Sequence, residues 1–349
     1  MTRLIKIKNR LIGDSYKPLI IIELGINHNG NLRLAKQIIK EAKKSGAEII
    51  KHQTHIPEDE MSIEAKKIVP GNANTNIYDL IKKCSISEDK ELELKKFVEK
   101  NKMIFISTPF SRKSVDRLVK FNVPAFKIGS GECNNYPLVD YICSFKKPII
   151  LSTGMNDIKS IKKSVRIIEK HKIQYALMHT TNLYPTPHKL VRLNAINELK
   201  ETFPKAVIGL SDHTGDNITS MAAIAMGASL IEKHFIDDKK RKGPDISASI
   251  DKTQLKELID SSKKLFLAIP GKRIPIKQEK KTIKFAFASV VAIKDILKGE
   301  KFSKDNIWVK RPGTGDFLAE KFYSLLGKKS LMRVKKNTQI KKKYVFKKN

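Results

Sequence analysis

The sequence predicts an α/β fold, a (β/α)8 barrel followed by a small β-rich domain, and three observations predict it. Eight short apolar runs rich in Ile and Val alternate with longer segments of 3.6-residue period. These units fill roughly 260 residues, close to the usual size of such a barrel. Nearly every run ends in Lys, Glu, His, Ser or Thr, and barrel enzymes carry their chemistry at the C-terminal ends of the strands.

The first strand, 18–24, is an Ile-rich run bounded by Pro18 and Gly25. Strands at 47–52, 103–108, 125–128 and 148–152 follow, then 174–179, 206–210 and 229–234. Amphipathic helices at 32–45, 91–101, 113–121, 137–144, 158–169, 193–201, 217–226 and 252–267 return the chain between them. The barrel is therefore expected over 1–267. Residues 268–284, rich in Pro and Lys, read as an exposed linker. From Phe285 to Asn349 come short strands broken by turns, at 289–293, 298–300, 307–310, 311–313 and 338–340. About 65 residues make a small core that gains from packing on something larger.

Composition narrows the function classes. Of 349 residues, 40% are apolar and 30% charged, which excludes wholesale disorder. No apolar run reaches the roughly 18 residues that span a bilayer, and the N-terminus lacks a signal-like apolar core, so a cytoplasmic protein with no membrane partner is expected. Cys84, Cys133 and Cys143 form no CxxC pair and read as reduced thiols. The formal charge of +33 invites a nucleic-acid reading, but the lysines are spread over every helix-like segment. Only 328–349 concentrates them, with nine Lys, one Arg and no acid. Aromatics are 7%, with Trp308 alone of its kind, so no nucleic-acid partner is expected.

The strand ends carry the chemistry. Lys51 and Lys127 would converge with Thr108, Ser130 and Ser152 beside the open turn Lys127-Ile-Gly-Ser-Gly-Glu132. Ammonium groups, hydroxyls and exposed backbone N–H groups suit a small phosphorylated acid. A Schiff-base lysine is the rival reading. His213 and His234 end the seventh and eighth strands, neighbours in a closed barrel, so both imidazoles can reach one ion amid acids such as Asp212 and Glu23. Imidazole with oxygen ligands suits Mn²⁺, Mg²⁺, Co²⁺ or Zn²⁺. His52, His55, His179 and His188 have weaker claims, and His28 lies in a turn.

Several segments together carry a resemblance: Glu23-Leu-Gly-Ile-Asn-His-Asn-Gly30, Lys51-His-Gln-Thr-His55, Phe126-Lys-Ile-Gly-Ser-Gly-Glu132, His179-Thr-Thr-Asn-Leu-Tyr-Pro-Thr186, Gly209-Leu-Ser-Asp-His213, Glu232-Lys-His-Phe235 and Trp308-Val-Lys-Arg-Pro-Gly313. Over almost the whole chain the sequence resembles the bacterial sialic acid synthases. The resemblance implies condensation of phosphoenolpyruvate with open-chain N-acetylmannosamine, phosphate release by C–O cleavage, and a C-terminal antifreeze-like (SAF) domain. It implies His213 and His234 as ligands of a divalent metal, usually Mn²⁺, with Mg²⁺ or Co²⁺ as alternatives. Lys51, Thr108, Lys127, Ser130, Ser152 and Ser211 match phosphoenolpyruvate contacts, with Gln53 beside them. Glu23, Glu132, Asn182, Tyr184 and Asp245 match groups around the reacting centre and the sugar hydroxyls, Glu132 or Glu23 being the expected acid/base or water-positioning group. Phe285 and Arg311 match contacts to the acetamido group, Arg311 being supplied by the partner subunit of a domain-swapped homodimer whose SAF domain caps the barrel. Related synthases make legionaminic or pseudaminic acid from 6-deoxy sugars, and legionaminic acid is the second reading of the product. Surface glycans are the expected destination.

Overall fold

A computed structural model describes residues 3–71 and 73–346, in two compact units that divide between Pro270 and Gly271. The first opens with a hairpin absent from the sequence expectations: β1 (Leu4–Ile7) pairs antiparallel with β2 (Arg10–Gly13). Eight parallel strands follow: β3 (Leu19–Glu23), β4 (Ile49–Thr54), β5 (Ile104–Pro109), β6 (Phe126–Ile128), β7 (Ile149–Ser152), β8 (Tyr175–Thr180), β9 (Val207–Asp212) and β10 (Leu230–His234). They close into a barrel in sequence order, β10 pairing with β3 from Leu230 opposite Leu19 to His234 opposite Glu23. Every expected barrel strand is present, and the barrel's helices fall where the periodicity put them, from Leu32–Lys44 to Lys252–Ala268.

Strand side chains alternate between faces, and this alternation builds the barrel. Ile20, Ile22, Ile50, Phe105, Phe126 and Leu151 point outward and bury under the helices. Leu19, Ile21, Ile49, Ile106, Ala125, Ile150, Met178 and Leu230 point inward and fill the lower barrel. The hairpin belongs to this inner cluster, since Ile5, Ile7 and Ile12 are fully buried against it. Each strand continues upward from an apolar inward residue to a polar one. A connection between β4 and the helix Glu88–Lys100 was also absent from the expectations; it carries a short helix at Pro57–Glu60 and another at Ile77–Cys84.

The second unit has its own core of Val290, Ile296, Phe302, Ile307, Phe322, Leu325 and Val334, among others. Its one two-stranded sheet pairs β11 (Ser289–Ala292) antiparallel with β12 (Ile307–Lys310). The expected strands at 298–300 and 338–340 are a turn and an isolated bridge instead, and 311–313 is irregular chain beyond the end of β12. Residues 268–284 are almost wholly exposed, as a linker would be, but they are not unstructured: a helix spans Lys280–Ala286. Phe285 therefore lies within that helix rather than opening a strand, because Lys280 to Ala286 contains no turn former to break it. The basic residues from Lys328 to Lys343 are exposed; Lys347 and Lys348 lie outside the described residues. Among the described residues, no helix is long and apolar enough to cross a membrane, and the three cysteines are buried and unpaired.

The inner cluster predicts a measurable role for the hairpin. Ile7→Ala should lower stability in urea unfolding by about 2–5 kcal/mol, because the floor beneath the strands cannot collapse onto the void. An unchanged midpoint would mean that the hairpin merely rests against the barrel.

Candidate active site

The upper barrel encloses a cavity of about 190 Å³. At its centre are two ammonium groups, brought inward from β4 and β6 by strand alternation. Lys51 Nζ lies 2.9 Å from Glu23 Oε1 and 3.6 Å from Glu232 Oε1, and donates to Thr108 Oγ1 at 3.1 Å. Lys127 Nζ donates to Ser152 Oγ at 2.7 Å and lies 3.4 Å from Glu232 Oε2. Glu232 also accepts from Ser211 at 3.1 Å. Burial alone would raise the Glu232 carboxyl, but Lys127 and Lys51 outweigh it and hold it well below the carboxylate range. Burial alone would lower Lys51, yet Glu23 and Glu232 together keep it above its ordinary value. Lys127 shares only Glu232 closely, and burial draws it down.

Glu232 was not among the expected site residues. The signal was available: it stands two positions before His234 and two after Leu230, on the inward face of the same strand. Asp212, expected as an acid near the histidines, is the converse case. It falls on the outward face, where Lys233 Nζ pairs with it at 3.0 Å and Thr219 and Ser220 each donate to it at 2.6 Å. Burial would raise its carboxyl, but Lys233 and those hydroxyls hold it low. His179 is likewise turned from the mouth, its Nε2 bound to the Val191 carbonyl at 2.6 Å. It lines a larger open groove of about 620 Å³ outside the cavity. The smaller cavity is the better candidate, because the charged strand-end groups converge only there.

His213 and His234 meet as expected, ring centroids 5.3 Å apart and close to perpendicular. Tyr184 stacks on His213 at 4.2 Å and meets His234 edge-on at 5.6 Å. Burial, helped by the facing His234 ring for His213 and by the Lys51 ammonium for His234, pushes both imidazoles down to about 3, so both are neutral. His213 Nδ1 is tied to the Thr181 carbonyl at 2.9 Å, which leaves Nε2 as the ring's lone-pair donor. His234 Nδ1 is buried without a hydrogen-bond partner, 3.6 Å from Asp245 Oδ2. Burial and the nearby Glu23 push the Asp245 carboxyl up to about 7. Two neutral imidazoles, one with an unpartnered buried nitrogen, beside carboxyl oxygens fit a divalent cation. Among the described residues no third His, Cys, Asp or Glu completes such a set, so the chain itself offers two ligands.

The remaining wall is the turn after β6. Gly129, Ser130, Gly131 and Glu132 line the cavity with Asn182, and Ser130 Oγ accepts from the Gly154 backbone N–H at 3.1 Å. A Cβ on Gly154 would stand 1.9 Å from Asn182 Oδ1, so only glycine lets these loops approach. Glu132, one of the two carboxyl groups expected to serve as acid/base, sits near the lysines without being held ionised by them. Instead its carboxyl is pushed up to about 7, first by burial and then by Glu60, with Lys127 too weak a counterweight. Glu23, Lys51, Gln53, Thr108, Lys127, Ser152, Tyr184 and Ser211 join it around the same cavity, with Asp245 reaching His234 from the loop beyond β10. Phe285 and Arg311 belong to the second unit, where both are exposed.

A model of the NeuB family matches residues 38–273, and one of the SAF domain matches 287–345. The chain is 40% identical over 338 residues, 96% of both chains, to the uncharacterized protein MJ1065 of Methanocaldococcus jannaschii. It is 39% identical to the N,N'-diacetyllegionaminic acid synthase of Campylobacter jejuni subsp. jejuni, covering 89% of this chain and 95% of that one. The crystal structure of N-acetylneuraminic acid (sialic acid) synthetase from Leptospira borgpetersenii superposes with a TM-score of 0.74 at 29% identity, over 81% of this chain and 96% of that one.

The charge arrangement predicts its own weakness. Glu232→Gln leaves the buried Lys127 without a carboxylate and Lys51 with Glu23 alone, and should cost about 3–5 kcal/mol in chemical unfolding. Adding Lys127→Met should recover part of that loss; a single variant as stable as the wild type would mean that Glu232 does not neutralise the pair.

Proposed function

The chain belongs to the NeuB family, and from that premise we propose that it condenses phosphoenolpyruvate with the open-chain aldehyde of N-acetylmannosamine, releasing phosphate and forming a nine-carbon sialic acid. The observation that carries this reading is the pair of inward ammonium groups, Lys51 and Lys127, facing the neutral pair His213 and His234 across one cavity. The ammonium groups, Thr108, Ser130, Ser152 and Ser211 would bind the phosphate and carboxylate of the enol substrate. Its carbon 3 would then face the aldehyde.

His213 and His234 would hold a divalent cation, Mn²⁺ foremost, which would supply Lewis acidity beside the sugar carbonyl. Glu132 carries its proton close to neutrality. We assign it to protonate the aldehyde oxygen as the new C–C bond forms, and then to take a proton from the water that adds to carbon 2. One proton is thus lent and returned, and the C–O bond to phosphate breaks without a covalent enzyme intermediate as the carbon 2 hydroxyl becomes the ketone and gives its proton to the departing phosphate. Asn182, Tyr184 and Asp245 would contact the sugar hydroxyls. Phe285 and Arg311 would reach the acetamido group from the SAF domain of a partner subunit in a homodimer.

A second reading stands on the identity to the Campylobacter enzyme: the acceptor would be a 2,4-diacetamido-6-deoxy sugar and the product a legionaminic acid. The core chemistry is common to both. Phosphate release should require phosphoenolpyruvate, Mn²⁺ and one aminosugar together, and should stop with chelator. The preferred sugar decides between the two readings. No release with any aminosugar, or a pyruvyl adduct trapped on Lys51 or Lys127 by borohydride, would overturn both.

The Glu132 assignment has a signed pH dependence. A carboxyl that titrates at about 7 is protonated below that pH, so kcat/KM should fall as pH rises through about 7. Glu132→Gln should lower kcat by about 10²–10⁴-fold and abolish that limb. Persistence of the limb in the variant would assign it to another group.

A further inference from the structure

The stretch Lys51-His-Gln-Thr-His55 ends on a histidine that the proposed reaction leaves without a task. His55 is buried, its ring stacked on Phe110 with centroids 4.2 Å apart and planes within 12°. Its Nδ1 lies 2.8 Å from Glu60 Oε2, and its Nε2 lies 3.0 Å from Gln53 Oε1. The Gln53 amide nitrogen donates at 2.6 Å to Glu23 Oε1, the same oxygen that Lys51 holds at 2.9 Å. Glu23 Oε2 is buried and has no hydrogen-bond partner.

Donor and acceptor counting makes this chain directional. The Glu60 carboxylate only accepts, so His55 Nδ1 donates to it. Gln53 must present its NH₂ to the Glu23 carboxylate, because the reversed amide would set two acceptors 2.6 Å apart. That orientation leaves only Gln53 Oε1 for His55, so Nε2 donates as well. Both ring nitrogens then carry protons, and the imidazolium rests against the Phe110 face, a favourable place for a cation. Of the titratable groups around the ring, Glu60 is bonded to it, Glu132 lies beyond Glu60, and His28 stands behind with His52 stacked on it. The helix Pro57–Glu60 that supplies Glu60 is anchored in turn, since Asp59 accepts from the Lys113 backbone N–H at 2.9 Å.

We propose that Glu60, His55 and Gln53 are positioning residues, a relay that fixes Glu23 with one oxygen bound by Gln53 and Lys51 and the other buried without a partner. Glu23's task in turnover rests on the proposed condensation; the relay itself does not. Without the relay, Glu23 is free to rotate and carry Lys51 away from Thr108, and a misplacement of about 1 Å can cost about 10²-fold in rate.

The test uses the full chain with ¹⁵N-labelled histidine, and the variants His55→Phe, which keeps a ring against Phe110 but removes both donors, and Glu60→Gln. Wild-type His55 should show both ring nitrogens protonated at pH 7.5, and Glu60→Gln should return the ring to one protonated nitrogen. His55→Phe should lower kcat about 10²-fold while the KM for phosphoenolpyruvate moves by less than about threefold. A wild-type ring with a single protonated nitrogen, an unchanged kcat in His55→Phe, or a loss that only tracks the unfolded fraction in both variants would each overturn the relay. A wild type that releases no phosphate with any aminosugar would sink the condensation and leave the nitrogen spectra to judge the relay alone.

Discussion

Two lysine side chains buried in one closed barrel are the constraint around which the upper half of the molecule is organised. An isolated ammonium group cannot be carried into a protein interior without a large desolvation cost, and two within reach of one carboxylate compound it. Glu232 answers both, with one oxygen toward Lys51 and the other toward Lys127, and Glu23 answers Lys51 a second time. The centre is thereby charged and paired, and an anion entering it meets ammonium groups already held in place by Thr108 and Ser152. Such fixed donors cost little reorganisation when charge develops, which is the usual source of electrostatic catalysis.

The apolar floor makes this centre possible. Ile5, Ile7 and Ile12 of the hairpin, with Ile21, Ile49, Ile106 and Ile150 above them, fill the barrel from below. The polar layer therefore rests on apolar side chains and opens at the strand ends. Along β3, Leu19, Ile21 and Glu23 pass from floor to cavity in three inward steps; along β10, Leu230, Glu232 and His234 do the same. Core and site are successive layers of the same strands.

That layering explains what was legible in the sequence. Strand positions and the polar ends were plain, because apolar runs between amphipathic helices have one economical closure, and thirteen of the fourteen expected barrel residues line one cavity, with Asp245 reaching it through His234. Facing was less plain. Glu232 was passed over and Asp212 over-read because both sit in polar clusters whose members alternate in direction, and one residue of register exchanges cavity for helix face. The hairpin escaped because Arg3 to Gly13 mixes charge with Ile and has no periodicity long enough to weigh. The segment 57–84 escaped because its helices are short.

Charge state was the least legible property, since it depends on neighbours that are distant in sequence. Glu132 sits five residues from Lys127, yet burial and Glu60, seventy-two residues away, decide its proton. Asp245 and Asp212 are the same side chain at opposite extremes, the first raised by burial beside Glu23, the second held down by Lys233 and two hydroxyls. The site thus separates its carboxyl groups by environment: Glu232 stays an anion to hold the lysines, while Glu132 keeps a proton it can release near neutrality. The formal +33 of the chain has little part in this, because the lysines that face the cavity are two, and each is answered by a carboxylate within 4 Å.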